Sequence, residues 1–207
     1  MSEPSSSNSE TSDEIIVISR RAAPGEVDEA YETAVKNLDK FMSAAFVQAE
    51  EALDHSEVPV GCVFVHDGDI IGSGRNNVNE SRDPTLHAEI VAITEIMNHC
   101  QTHDLDPAKI FAESTLYVNL EPCMMCASAL QQLKIPRIFF GAVNDRFGGI
   151  FSVGNVFDYE SDPPKMDIVR GFMGGKAVEL LQRFYQNSNM RAPPEKRVVK
   201  VQNRETK

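Results

Sequence analysis

Apolar residues recur at spacings of three and four from Ala30 to Leu53, through Ala34, Leu38, Phe41, Met42, Ala45, Phe46 and Ala49. That one-sided stripe predicts a single amphipathic helix from Asp28 to about Asp54, ended before Pro59. The period then changes. VPVGCVFVHDGDIIGSGRN (58–76) holds two runs rich in β-branched residues on either side of Asp67-Gly68, and a D-G pair between such runs predicts a β-hairpin. NESRDPT (79–85) reads as a loop, and HAEIVAITEIMNHC (87–100) as a second amphipathic helix with Ala88, Val91, Ala92, Ile96 and Cys100 on its stripe.

Downstream, STLYVNL (114–120) and RIFFGAV (137–143) are short, nearly continuous apolar runs that predict buried strands, and DRFGGIFSVGN is a glycine-bearing loop. Pro122 is placed for the first turn of a helix, where its missing N–H is no loss, so Cys123 and Cys126 both fall in that turn. Ala177, Leu180, Leu181 and Phe184 line a last helix. Alternating strands and helices imply an α/β layer fold with a sheet covered on its faces. Residues 1–27, rich in Ser and Glu and without sustained periodicity, are expected to form a flexible extension. The folded domain is then 28–187, with a separate tail at 188–207.

Composition narrows the class. The chain has 207 residues, 42% hydrophobic and 25% charged, the make-up of one soluble domain, and no run approaches the roughly 20 apolar residues of a membrane span. The first apolar run, Ile15 to Ile18, is also too short for a secretory leader. An intracellular protein without a membrane partner is expected, in the cytoplasm, the nucleus or both. In that reducing setting a close cysteine pair points to metal or redox chemistry.

The net charge of -11 argues against a nucleic-acid partner until its distribution is seen. Residues 1–69 carry 4 basic and 15 acidic side chains, whereas residues 183–207 carry 7 and 2. Only the tail is basic.

Cys123 and Cys126 form C-x-x-C at a helix start, where the positive helix end favours thiolates. A redox dithiol, a closed structural zinc site and a catalytic zinc site all fit that pair. Among the other donors, Cys62 and Cys100 fall on apolar positions and read as small core residues, while His55, His66, His99 and His103 fall at turns or helix ends. His99 and Cys100 would stand about 18–20 Å from His87 along one helix, at about 1.5 Å per residue, so they share no site with it. His87 stands at a helix start with Glu89 two residues on. One imidazole and two thiolates leave the fourth position of a tetrahedral ion open, as catalytic sites do, and a carboxylate bordering the same pocket could move protons.

His87-Ala88-Glu89 followed by Pro122-Cys123-Met124-Met125-Cys126 resembles the H-x-E…P-C-x-x-C signature of zinc-dependent nucleobase deaminases. EVPVG (57–61), GSGRNNVN (72–79), DPTLHAEI (83–90), LYVNLEPCMMC (116–126) and NDRFGG (144–149) further resemble the tRNA adenosine deaminases, over roughly residues 39–187. Within them the chain looks most similar to the catalytic subunit of the eukaryotic heterodimer that converts wobble adenosine to inosine.

The resemblance implies a three-layer α/β/α cytidine deaminase-like fold with a mixed central sheet. It makes Zn2+ the cofactor, His87, Cys123 and Cys126 its ligands, and Glu89 the proton shuttle of a hydrolytic attack at C6 of adenine. It also implies that Asn76 binds the flipped base. The implied partners are tRNA and a homologous subunit that lacks the glutamate. Lys196, Arg197, Lys200, Arg204 and Lys207 resemble the family's basic tRNA-gripping segment. Leu86 and Asn119 depart from the family's usual Ala or Arg and Thr or Ser. Two other functions fit the same metal motif: deamination of a free base or nucleotide such as cytosine, cytidylate or guanine, and a non-catalytic zinc subunit that positions RNA.

Overall fold

The computed structural model describes residues 14–19, 28–159 and 166–186. Six strands form one sheet: β1 (Ile16–Ser19), β2 (Gly61–His66), β3 (Asp69–Arg75), β4 (Thr115–Leu120), β5 (Arg137–Ala142) and β6 (Asp167–Arg170), in the order β1-β6-β5-β4-β2-β3. β4, β5 and β6 run parallel to one another, and β1 and the β2–β3 hairpin pair antiparallel at the two sides. The sheet is therefore mixed. The hairpin turns at Asp67 and Gly68, both with positive φ (49° and 84°), the backbone of the tight turn that D-G favours.

Side chains alternate across the sheet because successive Cβ atoms point to opposite faces. Val63, Val65, Tyr117, Phe139 and Val169 pack under α1 (Glu29–Lys36), α2 (Leu38–Asp54) and α7 (Gly174–Gln186). Cys62, Phe64, Leu116, Val118, Ile138, Phe140 and Ile168 face α4 (Ala88–His103), α5 (Pro107–Glu113) and α6 (Met124–Gln132). The three layers follow from that alternation. Fully buried Phe46, Phe64, Phe111, Phe139 and Phe140 each stabilise the fold by about 1.5–3 kcal/mol relative to exposure. Cys62 and Cys100 lie in this core, as their apolar settings predict. Among the described residues no helix is long and apolar enough to cross a membrane.

Several elements differ from the sequence reading. The first helix is two: Asn37, at φ -100° and ψ 11°, separates α1 from α2, and its side-chain amide and main-chain N–H both donate to the Thr33 carbonyl. A side chain that competes for backbone partners ends the regular helix there. The span 1–27 is not wholly outside the fold, since Ile16–Ser19 pair with β6; the rest of it, apart from Glu14 and Ile15, lies outside the described residues, as does the tail from 187. The loop at 79–85 begins inside a one-turn helix, α3 (Val78–Ser81). Pro122 precedes α6 instead of opening it, which leaves Cys123 as the N-cap and Cys126 in the first turn.

One close approach places the site. Gly74 on β3 lies so near α4 that a Cβ there would come within 2.8 Å of the Ala92 nitrogen. The absence of a side chain lets the first turn of α4 sit on the sheet, and that turn carries His87 and Glu89.

Candidate metal centre

Two helices begin at the same point. His87 is the N-cap of α4 and Cys123 the N-cap of α6, both in extended backbone (φ -69° for each), and neither side chain caps its own helix. Ser, Thr, Asp or Asn would stabilise such ends better. Here the N-cap side chains turn instead toward each other and toward Cys126.

The His87 Nδ1 lies 3.4 Å from Cys123 Sγ and 3.6 Å from Cys126 Sγ, and all three donors fall within 4.8 Å of one another. Zinc at about 2.3 Å from sulfur and about 2.0–2.1 Å from nitrogen would separate two tetrahedral ligands by about 3.6 Å. The residues fit the ion. Among the described residues this is the one His/Cys/Asp/Glu group with such donor spacing, and His55, His66, His99 and His103 stand apart from it, as expected. The redox and closed-site readings of the thiols lose ground, because a third protein donor is present and a fourth is not in the cluster.

Charges in the site are set by these contacts. The Cys126 thiol hydrogen-bonds the Cys123 sulfur and, with the His87 imidazole, pulls the Cys123 thiol down to about 4 against the burial that opposes it. Cys126, donating that proton and fully buried, is pushed far up, first by the Cys123 bond and then by burial and Glu89. The bond to Cys123 raises His87, opposed by burial. A dication displaces the proton the two sulfurs share, so zinc binding releases protons.

Glu89 is 3% exposed. Burial raises its pKa above the ordinary carboxylate value, with a further push from the Cys123 charge. A carboxyl group whose charged form is disfavoured by burial holds a proton more readily than an exposed one. It lines, with His87, Cys123 and Asn76, a cavity of about 860 Å³ whose walls include Val58, Val60 and Leu120. Asn76 is 5% exposed, and its Nδ2 donates to Glu57 Oε2 at 3.2 Å.

The sequence reading missed two buried carboxylates beside the cavity, Glu57 and Glu121. Glu57 is 0% exposed and also accepts from Asn79 Nδ2 (2.7 Å) and the Glu80 N–H (2.7 Å), so it fixes the segment that carries Asn76. Glu121, directly before Pro122, is 1% exposed. The available signal was a charge next to an apolar run, in EVPVG and in VNLEP. Of the departures from the family, Asn119 is buried and stitches β4 to the approach of β2, accepting from the Gly61 N–H and donating to the Pro59 carbonyl, each at 2.9 Å. Leu86 contributes its main chain, accepting from the Asn77 N–H at 3.0 Å.

A mixed sheet between helix layers, with one His and two Cys at converging helix starts and a buried glutamate beside them, defines a zinc-dependent deaminase of the cytidine deaminase-like class. Residues 35–142 match the family described as the cytidine and deoxycytidylate deaminase zinc-binding region. The chain is 42% identical over 163 residues to tRNA-specific adenosine deaminase 2 of Xenopus laevis, covering 78% of this chain and 93% of that protein. It is also 42% identical over 170 residues to the tRNA-specific adenosine deaminase subunit tad2 of Schizosaccharomyces pombe, covering 82% of this chain and 42% of that longer protein. A solved structure from work on A-to-I editing by tRNA:A34 deaminases at the wobble position of transfer RNA superposes with a TM-score of 0.62 at 33% identity, over 69% of this chain and 99% of that one. The chain belongs to the tRNA-specific adenosine deaminases.

Proposed function

We infer that this chain catalyses the hydrolytic deamination of adenosine to inosine at the wobble position of tRNA anticodons, water replacing the amino group at C6 and ammonia leaving. The observation that carries the reading is a group of three metal donors, two of which, His87 and Cys123, line one cavity together with the buried carboxylate of Glu89. His87, Cys123 and Cys126 hold zinc, which when bound makes a water at its open position acidic near neutral pH.

Glu89 accepts the proton of the attacking water and delivers it to N1 of adenine. It then takes the proton of the new C6 hydroxyl and passes it to the amino nitrogen, so that the C6–N bond breaks, ammonia leaves and the C6 carbonyl forms. Its burial suits it to both steps. Asn76, held by Glu57, hydrogen-bonds the flipped base, and Val58, Val60 and Leu120 supply apolar surface for it. Exposed Phe147, Val153 and Tyr185 extend the cavity to the surface, which suits a base presented on a strand better than an enclosed free base.

The partners on this reading are tRNA and a homologous subunit without the glutamate, the site of action being the cytoplasm or nucleus. The Schizosaccharomyces pombe relative is named as a subunit, which supports an assembly of more than one chain. Co-expression with such a subunit, followed by measurement of inosine at the wobble base, tests the reading. Inosine there is the expected result; deamination of free cytosine, cytidylate or guanine without inosine in tRNA would replace it.

The basic segment with Lys196, Arg197 and Lys200 grips phosphate on this account. Deleting residues 195–207 is expected to weaken tRNA binding by about tenfold at low salt and less as salt rises, with zinc content unchanged. Affinity that does not change at any salt concentration would remove the tail from the interface.

A further inference from the structure

The loop at 144–154 is wrapped around one carboxylate. Glu121 Oε1 accepts from the main-chain N–H groups of Ile150 (3.2 Å), Phe151 (2.7 Å) and Ser152 (3.0 Å), and Oε2 accepts from the Asn144 N–H (2.9 Å) and the Ser152 hydroxyl. Gly148 lies flat against the group, since a Cβ there would stand 2.5 Å from the carboxyl carbon and from both oxygens. A buried carboxylate is costly unless donors surround it, and here all five donors belong to one loop. Removing the acceptor would strand them together.

That loop is a wall of the reaction cavity. Asn144, Asp145, Arg146, Phe147 and Val153 line it, and Phe147 is 57% exposed with the Arg146 guanidinium 5.4 Å from its ring centre. An exposed aromatic ring beside a cation is a surface on which unpaired bases stack. The same loop is sewn to the metal-ligand turn: the Met124 N–H donates to the Phe147 carbonyl at 3.1 Å, and the Gly149 N–H to the Pro122 carbonyl at 2.9 Å. Glu121 stands two residues before Cys123, so one buried side chain spans both.

We propose that Glu121 is a positioning residue for the RNA: its carboxylate holds the 144–154 loop in the shape that presents Asp145, Arg146 and Phe147 to the strand bordering the reacting adenosine. The proposal rests on the deaminase reading above for its substrate. It separates two jobs in one motif. Cys123 and Cys126 serve the ion, while Glu121 serves the substrate wall beside it.

Glu121→Gln keeps the size of the side chain but turns one acceptor oxygen into a donor that faces N–H or O–H groups. In the full-length protein with its partner subunit, and with an anticodon stem-loop as substrate, KM is expected to rise tenfold or more while kcat stays within about threefold. Zinc should remain at one ion per chain, and amides of 144–154 should exchange with deuterium at least tenfold faster while those of α4 are unchanged. Ser152→Ala, which removes one donor from the same set, should move KM and loop exchange in the same direction by about threefold, and decides the matter if Glu121→Gln does not fold. KM and loop exchange both unchanged would overturn the proposal. So would a loss of zinc with a matching fall in kcat, which would make Glu121 a support of the metal site. If the wild-type complex forms no inosine, the deaminase reading fails. Loop exchange and equilibrium stem-loop binding need no turnover, and in that case their remaining unchanged overturns the role of Glu121 separately.

Discussion

Glu89→Ala is expected to lower the rate of inosine formation by about 10²–10⁴-fold, the usual contribution of a positioned acid or base, with zinc content and RNA affinity retained. The carboxyl group is 3% exposed, lines the cavity beside His87 and Cys123, and stands outside the group of three metal donors, so it is placed to carry a proton. Glu89→Gln should lose as much, because it preserves shape and removes only the titrating oxygen. Single-turnover assays on the anticodon stem-loop measure both. Activity within tenfold of the wild type in either variant would move the proton transfer to another group, and would also favour the reading in which the chain only positions RNA.

The second large effect falls on the metal. Cys126 is 0% exposed and sits in the first turn of α6 with its sulfur 3.6 Å from His87 Nδ1. Cys126→Ser replaces a soft ligand by a weak one, and zinc is expected to fall below one tenth of an ion per chain after dialysis, with inosine formation below about a hundredth of the wild type. Stability should follow by linkage. An ion at 1,000 times its dissociation constant stabilises the native state by about 4 kcal/mol, so chelation should lower the thermal midpoint of the wild type and leave that of the variant where it is. A variant that still holds one zinc per chain would show that Cys126 is not a ligand.

The parts of the fold carried by local chemistry were readable before the structure. The Asp67-Gly68 hairpin, the apolar stripe of α4 and the runs of β4 and β5 each contain their own signal within a few residues. The metal cluster was readable for another reason: His87 and Cys123 are separated by 36 positions, but both lie at recognisable element starts and both carry rare donor types. What escaped depends on contacts far away in the chain. β1 and β6 are four residues each and are strands only because they pair with each other and with β5.

α5 carried a weak signal. Asp106 caps it through the Ala108 N–H and Pro107 opens it, but seven residues are too few for a stripe to stand out. The break at Asn37 falls between residues that keep the helical period on either side. Glu57 and Glu121 were hidden because a carboxylate next to an apolar run reads as surface until its donors are located. Those of Glu121 come from a loop 23 to 31 residues downstream. Both flank the cavity, where the fold buries charge in return for geometry.

X-ray absorption at the zinc edge of the purified complex puts the whole account at risk in one spectrum. Two sulfur scatterers at about 2.3 Å and two nitrogen or oxygen scatterers at about 2.0 Å are predicted, one of the light atoms being the His87 imidazole and the other exchangeable solvent. A third sulfur, a second histidine, or an active enzyme without metal would contradict it.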